Sequence, residues 1–185
     1  MKNKVTFEDS TIIRFLFKLL APILESPFRH KLRNPFMTLK AAGIRPGQEV
    51  LEIGCGTGFY TMDAAKMVKE GGHIWAIDMH PLAIEQVSKK IQEVGLNNVK
   101  LIKANAIETG LASRSIDLIL LFGIIPSPTL PIDQLLPEMH RLLKPGGTLS
   151  VKTAVPWWSP NSLTKDGLFS LIEKKSGVYN FRKVK

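Results

Sequence analysis

The chain has 185 residues and a net charge of +9, and 44% of its residues are hydrophobic while 22% are charged. This length suits one domain with one core, and the composition is that of a globular protein rather than a disordered or fibrous one. The single cysteine excludes an intramolecular disulfide and a zinc site built on cysteines, so we expect an intracellular, cytoplasmic protein.

The positive charge lies in the two flanks of the chain. Residues 1–46 carry nine Lys and Arg against three acids, and residues 144–185 carry eight against two, whereas residues 47–143 carry eight against eleven. A basic flank attracts phosphates, nucleic acid or an anionic membrane surface, but scattered lysines also simply keep a protein in solution. The charge pattern leaves both interpretations open.

Residues 1–45 predict two helices that pack on the following core as a cap. The first, about Thr11–Leu24, is interrupted by two basic residues and a proline and falls short of the ~20 apolar residues that span a bilayer. It is either a lid helix packed on the core, or a helix that contacts a membrane surface or covers an apolar acceptor. The second begins at Asn34-Pro35, a capping residue followed by proline, and ends at Gly43.

From residue 46 to residue 185, short apolar runs alternate with amphipathic segments, a pattern typical of βα units around a parallel sheet. The fourth run is nearly continuous in apolar residues, as expected for a strand buried on both faces, and a hairpin with a glycine turn closes the chain. The predicted strands are Glu49–Ile53, His73–Asp78, Asn98–Lys103, Ser115–Phe122, Thr148–Val155, Leu168–Lys174 and Val178–Val184. The predicted helices are Phe59–Glu70, Pro81–Val94 and Asp133–Leu143, the last ended by Lys144-Pro145-Gly146-Gly147.

A glycine loop follows the first predicted strand, with glycines at positions 54, 56 and 58. Glycines here let backbone N–H groups approach a ligand, and the N-terminus of the next helix adds partial positive charge. Dinucleotide sites have the spacing G-x-G-x-x-G, which would require glycine where this chain has Phe59. The spacing therefore disfavours a dinucleotide and favours S-adenosylmethionine.

Two acids accompany the loop. Asp78 ends the second predicted strand, where a carboxylate accepts hydrogen bonds from the hydroxyls of a ribose, although it could instead cap the helix that begins at Pro81. Glu52 lies near the end of the first strand, and a buried acid there needs a cationic or hydrogen-bonding partner. The ammonium group of S-adenosylmethionine would supply one, and an ordinary salt bridge is the alternative.

Three stretches resemble the motifs of the class I S-adenosylmethionine-dependent methyltransferases: residues 51–58, residues 77–81 and residues 142–149. The resemblance implies an α/β, Rossmann-like three-layer sandwich with a seven-stranded, mostly parallel sheet whose last strand is antiparallel, with the N-terminal helices as a cap on a single domain. It implies S-adenosylmethionine as cofactor and S-adenosylhomocysteine as product. The implied cofactor-binding residues are Glu52, Gly54, Cys55, Gly56, Thr57, Gly58, Asp78, Met79, Asn105, Ala106 and Phe122.

The chain departs from the family pattern after the third strand. The family often has an acid followed by a small residue there, and the acid binds the adenine amino group, whereas this chain has Asn105-Ala106. The asparagine carbonyl is also an acceptor, so we expect it to bind adenine, with a role as a turn residue as the alternative.

The acceptor is less well defined by the sequence. The segment Phe122–Pro128 lacks the motif of amino-directed nucleic-acid methyltransferases, and no cysteine nucleophile follows the fourth strand. The apolar first helix favours a small-molecule, lipid-like or quinone-like acceptor. RNA or protein held by the basic flanks is an alternative, and a non-catalytic cofactor-binding module is a third. We predict no metal site and assign no catalytic residue, although Tyr60 is a candidate for lining the acceptor site.

Overall fold

The computed structural model describes residues 34–128, 130–153, 155 and 157–184. The helix predicted over Thr11–Leu24 lies outside them, so its role as a lid or a membrane contact stays a prediction. None of the helices in the described ranges is long and apolar enough to cross a bilayer.

Four helices and seven strands make up the described chain, together with one 3-10 helix. The strands are β1 (Glu49–Ile53), β2 (His73–Asp78), β3 (Val99–Lys103), β4 (Ile116–Phe122), β5 (Leu143–Lys152), β6 (Phe169–Lys175) and β7 (Val178–Lys183). The helices are α1 (Pro35–Ala42), α2 (Thr61–Val68), α3 (Pro81–Val94) and α4 (Ile132–Leu142), and the 3-10 helix is Pro160–Leu163.

All seven strands form one sheet in the order β3-β2-β1-β4-β5-β7-β6. The first five strands are parallel, and β7 is antiparallel to both β5 and β6. One apolar cluster joins the sheet to α1, α2 and α3, and a second cluster joins the opposite face to α4 and the 3-10 helix. The predicted three-layer, seven-stranded architecture with an antiparallel last strand is therefore confirmed.

Helix α1 forms where the sequence predicts it. The Asn34 side chain accepts a hydrogen bond from the Met37 backbone N–H at 3.2 Å, and Gly43 ends the helix in the left-handed conformation with φ +83°. Leu39 is fully buried on the sheet, and the Asn180 side chain of β7 donates to the carbonyl of Ala41 at 2.8 Å. The helix is thereby fixed to the face of the sheet that also carries α2.

Helix α2 is shorter than the predicted Phe59–Glu70. It begins at Thr61 and ends at Val68, because Phe59 and Tyr60 still belong to the loop and Lys69 has a φ of +56°, outside the helical region. The rings of Phe59 and Tyr60 pack edge to face with centroids 4.9 Å apart, and both are buried. The two aromatic residues are therefore part of the buried core next to the glycine loop.

The prediction for the start of β5 was wrong by five residues. Leu143, expected to end a helix, instead begins the strand and pairs with Ile116, while the next pair joins Leu118 to Thr148. Residues 144–147 therefore lie in an irregularity of the strand rather than before it. The sequence misleads here because Leu142 and Leu143 are both fully buried, which suits the end of a helix and the start of a strand equally well.

Gly146 and Gly147 lie in this irregularity, and we expect replacing them by alanine to destabilise the protein to different extents. A Cβ at position 147 would lie 2.9 Å from a methyl group of Leu143 and 3.0 Å from the carbonyl oxygen of Lys144, whereas position 146 has open space but a φ of +75°. Replacing Gly147 by Ala should therefore lower the free energy of unfolding by about 2–3 kcal/mol through steric strain, and Gly146→Ala by about 1 kcal/mol through backbone strain alone. Urea denaturation of the two variants checks this order, and an equal loss would contradict the packing described.

Candidate functional site

The loop after β1 is held in place by the end of β2. The backbone N–H groups of Gly54 and Cys55 both donate to the carbonyl oxygen of Ile77, at 2.8 and 3.0 Å. The loop then closes on itself, since Gly58 N–H donates to the Cys55 carbonyl at 2.8 Å. Gly54, Gly56 and Gly58 all have positive φ values, from +53° to +82°, which explains the glycine at every second position of the loop.

Asp78 is the acid that connects the loop to β2. Its Oδ2 accepts from the Gly56 N–H at 2.9 Å, and its Oδ1 accepts from the His80 N–H at 2.8 Å. The helix-capping role considered for Asp78 belongs instead to His80, whose Nδ1 accepts from the Leu82 N–H at 3.2 Å. The half-buried Asp78 carboxylate thus faces the mouth of the loop in a fixed orientation.

Glu52 is buried beneath the loop, with 3% of its surface exposed. Its Oε2 accepts a hydrogen bond from the hydroxyl of Thr61 at 2.6 Å, and Thr61 is the first residue of α2. Burial raises the pKa of the Glu52 carboxyl to about 7, the Thr61 hydrogen bond opposes that rise, and the nearby Asp78 charge adds to it. Within residues 34–184 as described, the Thr61 hydroxyl is the hydrogen-bond partner of Glu52, and contact with an ammonium group or with an ion-pair partner stays a prediction.

A cavity of about 470 Å³ opens at the carboxyl ends of the parallel strands, beside the loop and Asp78. Of its thirteen described lining residues, only Asp78 and Ser127 have polar side chains, so the walls are mainly apolar. A crevice at this edge of an open parallel sheet is where such folds bind ligands. The lining residues are Ile53, Gly54, Ile77, Asp78, Met79, Ala104, Ala106, Gly123, Ile124, Pro126, Ser127, Pro128 and Leu130.

The structure brings some of the predicted site residues to this cavity and leaves others outside it. Gly54, Asp78, Met79 and Ala106 line the cavity. Of the remaining predicted residues, Glu52, Cys55, Gly56, Thr57 and Gly58 form or underlie the loop next to it. Cys55 is buried, and burial raises the pKa of its thiol above the usual range, which is unfavourable for a nucleophile.

Asn105 and Phe122 are the two remaining predicted residues, and neither is among the residues that line the cavity. The Asn105 side-chain oxygen accepts from the Ile107 N–H at 3.1 Å, which is the geometry of the turn residue considered as the alternative. Phe122 ends β4 and packs on the Tyr60 ring with centroids 5.0 Å apart, on the sheet face covered by α1 to α3. Contact of either side chain with a cofactor stays a prediction.

Several residues that shape the site were not predicted from the sequence. The hydrogen bond from the Thr61 hydroxyl to Glu52 could not be predicted, because only the position of Thr61 near the start of a helix is visible in the sequence. The wall formed by Ile124, Pro126 and Leu130 comes from an irregular loop, and a Cβ at Gly54 would lie only 2.5 Å from a methyl group of Ile124. The prolines of that loop were the available signal, because they indicated a rigid segment directly after a buried strand.

Two tryptophans follow β5 in the sequence. Trp157 is 84% exposed, whereas Trp158 packs on the Tyr179 ring with centroids 5.3 Å apart. Within the described ranges, no group of three or more His, Cys, Asp or Glu side chains has the arrangement of a metal site.

These features suit S-adenosylmethionine. A buried carboxylate with a raised pKa is complementary to an ammonium group, because the positive charge offsets the cost of ionising Glu52 in an apolar setting. The Asp78 oxygens retain acceptor capacity for hydroxyl groups at the mouth of the loop. Met79 and Ala106 contribute apolar surface to the cavity wall, which suits an adenine ring.

Residues 44–183 match a family model described as a methyltransferase domain. The chain is also 33% identical over 121 residues to a demethylmenaquinone methyltransferase of Listeria welshimeri, covering 64% of this chain and 50% of that protein. It is 34% identical over 148 residues to a ubiquinone/menaquinone biosynthesis C-methyltransferase of Vibrio vulnificus, covering 78% of this chain and 56% of that protein. The chain thus spans about half the length of these named relatives.

Among solved structures, a SAM dependent methyltransferase from Aquifex aeolicus is similar to this chain. It aligns with a TM-score of 0.78 at 24% identity, over 92% of this chain and 98% of that chain. At this identity the likeness supports the fold, and the family match covers the loop, Asp78 and the cavity wall together. The chain therefore belongs to the methyltransferase-domain family, within the class I methyltransferases, for which S-adenosylmethionine is the cofactor.

Proposed function

We propose that this chain transfers a methyl group from S-adenosylmethionine to a small, apolar, quinone-like acceptor. The proposal rests mainly on one observation: the carboxylates of Glu52 and Asp78 lie at the glycine loop, and a mainly apolar cavity lies next to it. The carboxylates are suited to a cofactor that carries an ammonium group and a ribose. The apolar walls are suited to the adenine and to an uncharged ring or chain.

Each part of the cofactor has a proposed partner in the site. The ammonium group lies against Glu52, the ribose hydroxyls bind Asp78, and the adenine lies between Met79 and Ala106, with Asn105 as a further acceptor at its edge. The loop residues Gly54 to Gly58 approach the cofactor through their backbone, since three of the five are glycines and the other two, Cys55 and Thr57, are buried outside the cavity lining. The bound cofactor supplies an electrophilic methyl carbon on a sulfonium.

The protein contributes to catalysis mainly by positioning the acceptor and the methyl group relative to each other. A single in-line displacement needs the acceptor atom and the methyl carbon held on one axis, and such orientation alone accelerates reactions strongly. The tight packing of Ile124 against Gly54 fixes the loop after β4 at the place where an acceptor would approach. An apolar surround also excludes water that would compete with the acceptor.

The quinone-like acceptor is supported by two independent observations. The relatives described above are named demethylmenaquinone methyltransferase and ubiquinone/menaquinone biosynthesis C-methyltransferase. The cavity wall formed by the loop after β4 is apolar apart from Ser127. RNA held by the basic flanks is the second candidate, favoured by the excess of Lys and Arg in residues 144–185. A peripheral membrane contact would accompany a lipid-like acceptor, and it too is a proposal.

The first prediction concerns pH and Glu52. The pKa of this carboxyl is about 7, and an ammonium ligand binds its ionised form, so ligand binding releases the proton that the free protein holds below pH 7. The affinity for S-adenosylhomocysteine should therefore rise about tenfold between pH 5.5 and pH 7, as measured by isothermal titration calorimetry.

Two variants provide the control for this pH dependence. Glu52→Gln should bind weakly and with no rise between pH 5.5 and pH 7. Glu49→Gln, at an acid on the same strand that binds Trp75 and His73 away from the cavity, should keep the wild-type profile. A wild-type affinity that is flat with pH would contradict the proposed contact with Glu52.

The second prediction concerns Asp78 and the choice of cofactor. Asp78→Ala removes the proposed ribose acceptor and the hydrogen bond that fixes Gly56, so the affinity for S-adenosylmethionine should fall about 10- to 100-fold, or about 1.4–2.8 kcal/mol. Calorimetry of wild type and variant with S-adenosylmethionine and with NAD checks this. Tight NAD binding by the wild type without binding of S-adenosylmethionine would overturn the proposed cofactor site.

The third prediction concerns the acceptor. With radiolabelled S-adenosylmethionine, we expect label to enter a short-chain 2-alkyl-1,4-naphthohydroquinone at a rate that changes little between 50 and 200 mM salt. Transfer to RNA would instead fall steeply over that range, because phosphate contacts release counterions. Label in total RNA but not in the hydroquinone would favour the second candidate, and binding without transfer to either would contradict the proposed activity.

A further inference from the structure

A second cavity, of about 370 Å³, opens at the opposite end of the sheet from the glycine loop. Asp117, the second residue of β4, lines this second cavity, whereas Gly123, which follows the last residue of β4, lines the cavity beside the loop. Six residues of extended strand separate the two positions, or about 20 Å. The second cavity is therefore a separate feature, and its volume lies within the range of about 300–1,000 Å³ that is common for small-molecule sites.

The inner wall of the second cavity is fixed by hydrogen bonds between the sheet and the end of α1. Asn180 of β7 lines the cavity and is 4% exposed, and its side-chain amide donates to the carbonyl of Ala41 at 2.8 Å. The Ser150 hydroxyl donates to the carbonyl of Ala42 at 3.2 Å. The last carbonyl groups of a helix carry partial negative charge, and here two of them are already hydrogen-bonded. They therefore oppose an anion in the cavity less than free carbonyl groups would.

Three basic and two acidic side chains line the second cavity. They are Arg45, Lys144, Arg182, Asp117 and Glu173. Lys144 and Asp117 neutralise each other, since Nζ and Oδ2 lie 2.8 Å apart. Within the described ranges, neither Arg45 nor Arg182 forms an ion pair, so two positive charges remain against the single negative charge of Glu173.

The two arginines reach the second cavity from different elements. Arg182 lies two residues after Asn180 on β7, so its side chain is on the same face of the sheet, towards α1. It stands in register with Thr148 of β5, which also lines the cavity. Arg45 follows the end of α1, and its backbone N–H donates to the Gln48 side chain at 2.7 Å, which holds the turn before β1.

We propose that the second cavity binds the phosphate groups of a small, phosphate-bearing metabolite through Arg45 and Arg182. A guanidinium group is planar and always charged, and its N–H donors match the oxygens of a phosphate in pairs. Two guanidinium groups from separate elements suit a diphosphate, with one arginine for each phosphate group. The bound ligand would join the end of α1 to β7 and would stabilise the folded chain, as any ligand of the native state does.

Pyrophosphate is the probe that tests this site, by isothermal titration calorimetry at pH 7.5 with excess S-adenosylhomocysteine to occupy the cofactor site. We expect the wild type to bind pyrophosphate, and Arg45→Gln and Arg182→Gln each to weaken the binding about tenfold through the loss of charge-assisted hydrogen bonds. Glu173→Gln should instead strengthen it about threefold, because a repelling charge is removed while an acceptor for Asn180 is kept.

Arg114→Gln is the matched control. Arg114 is exposed and is not among the residues that line the second cavity, so its replacement removes the same charge from the chain and should leave the affinity for pyrophosphate unchanged. All four variants should bind S-adenosylhomocysteine with wild-type affinity, which confirms that they fold.

Three results would overturn the proposal. The first is a wild type that does not bind pyrophosphate. The second is equal weakening by Arg114→Gln, Arg45→Gln and Arg182→Gln, which would mean that pyrophosphate responds only to the net charge of the chain. The third is a short RNA that binds through Arg45 and Arg182 when pyrophosphate does not, which would assign the two arginines to a polymer backbone. None of these results depends on the methyl acceptor, so the proposed function is tested separately.

Discussion

The site depends on one physical link, the connection between the ends of β1 and β2. Two backbone N–H groups of the glycine loop donate to the Ile77 carbonyl, and a third donates to the Asp78 carboxylate. These bonds turn the chain sharply out of β1, and only residues without a Cβ adopt the positive φ values of that turn without strain. Because Asp78 is fixed by the same turn, the loop and its acid are positioned together, and neither would keep its place alone.

The turn after β1 also buries the carboxyl group of Glu52. The turn covers Glu52, which leaves the carboxyl in an apolar setting with the Thr61 hydroxyl as its hydrogen-bond donor. Ionising such a group is costly, so burial raises the pKa of the Glu52 carboxyl to about 7. A ligand that carries an ammonium group offsets that cost, which gives the site a preference that glycines alone do not supply. The family match and the two carboxylates therefore lead to the same cofactor by separate arguments.

The sequence predicted most of the helices and strands but only part of the candidate site. The bounds of Glu49–Ile53, His73–Asp78 and Pro81–Val94 agree with the structure, because glycine, proline and capping signals mark their ends. The start of β5 was missed, since buried leucines at 142 and 143 suit either kind of element. The motif residues of the loop were predicted because they are consecutive in the sequence, whereas the hydrogen-bond partner of Glu52 and the cavity wall after β4 depend on long-range packing that no local pattern encodes.

We propose that Glu52 binds the amino-acid end of the cofactor and that Asp78 binds its ribose. A crystal structure of the protein with S-adenosylhomocysteine measures this most directly. We expect the ligand amino group within about 3 Å of a Glu52 carboxylate oxygen and a ribose hydroxyl at the same distance from Asp78. A ligand bound elsewhere, or bound in the cavity with its amino group in solvent and Glu52 still paired only with Thr61, would contradict it.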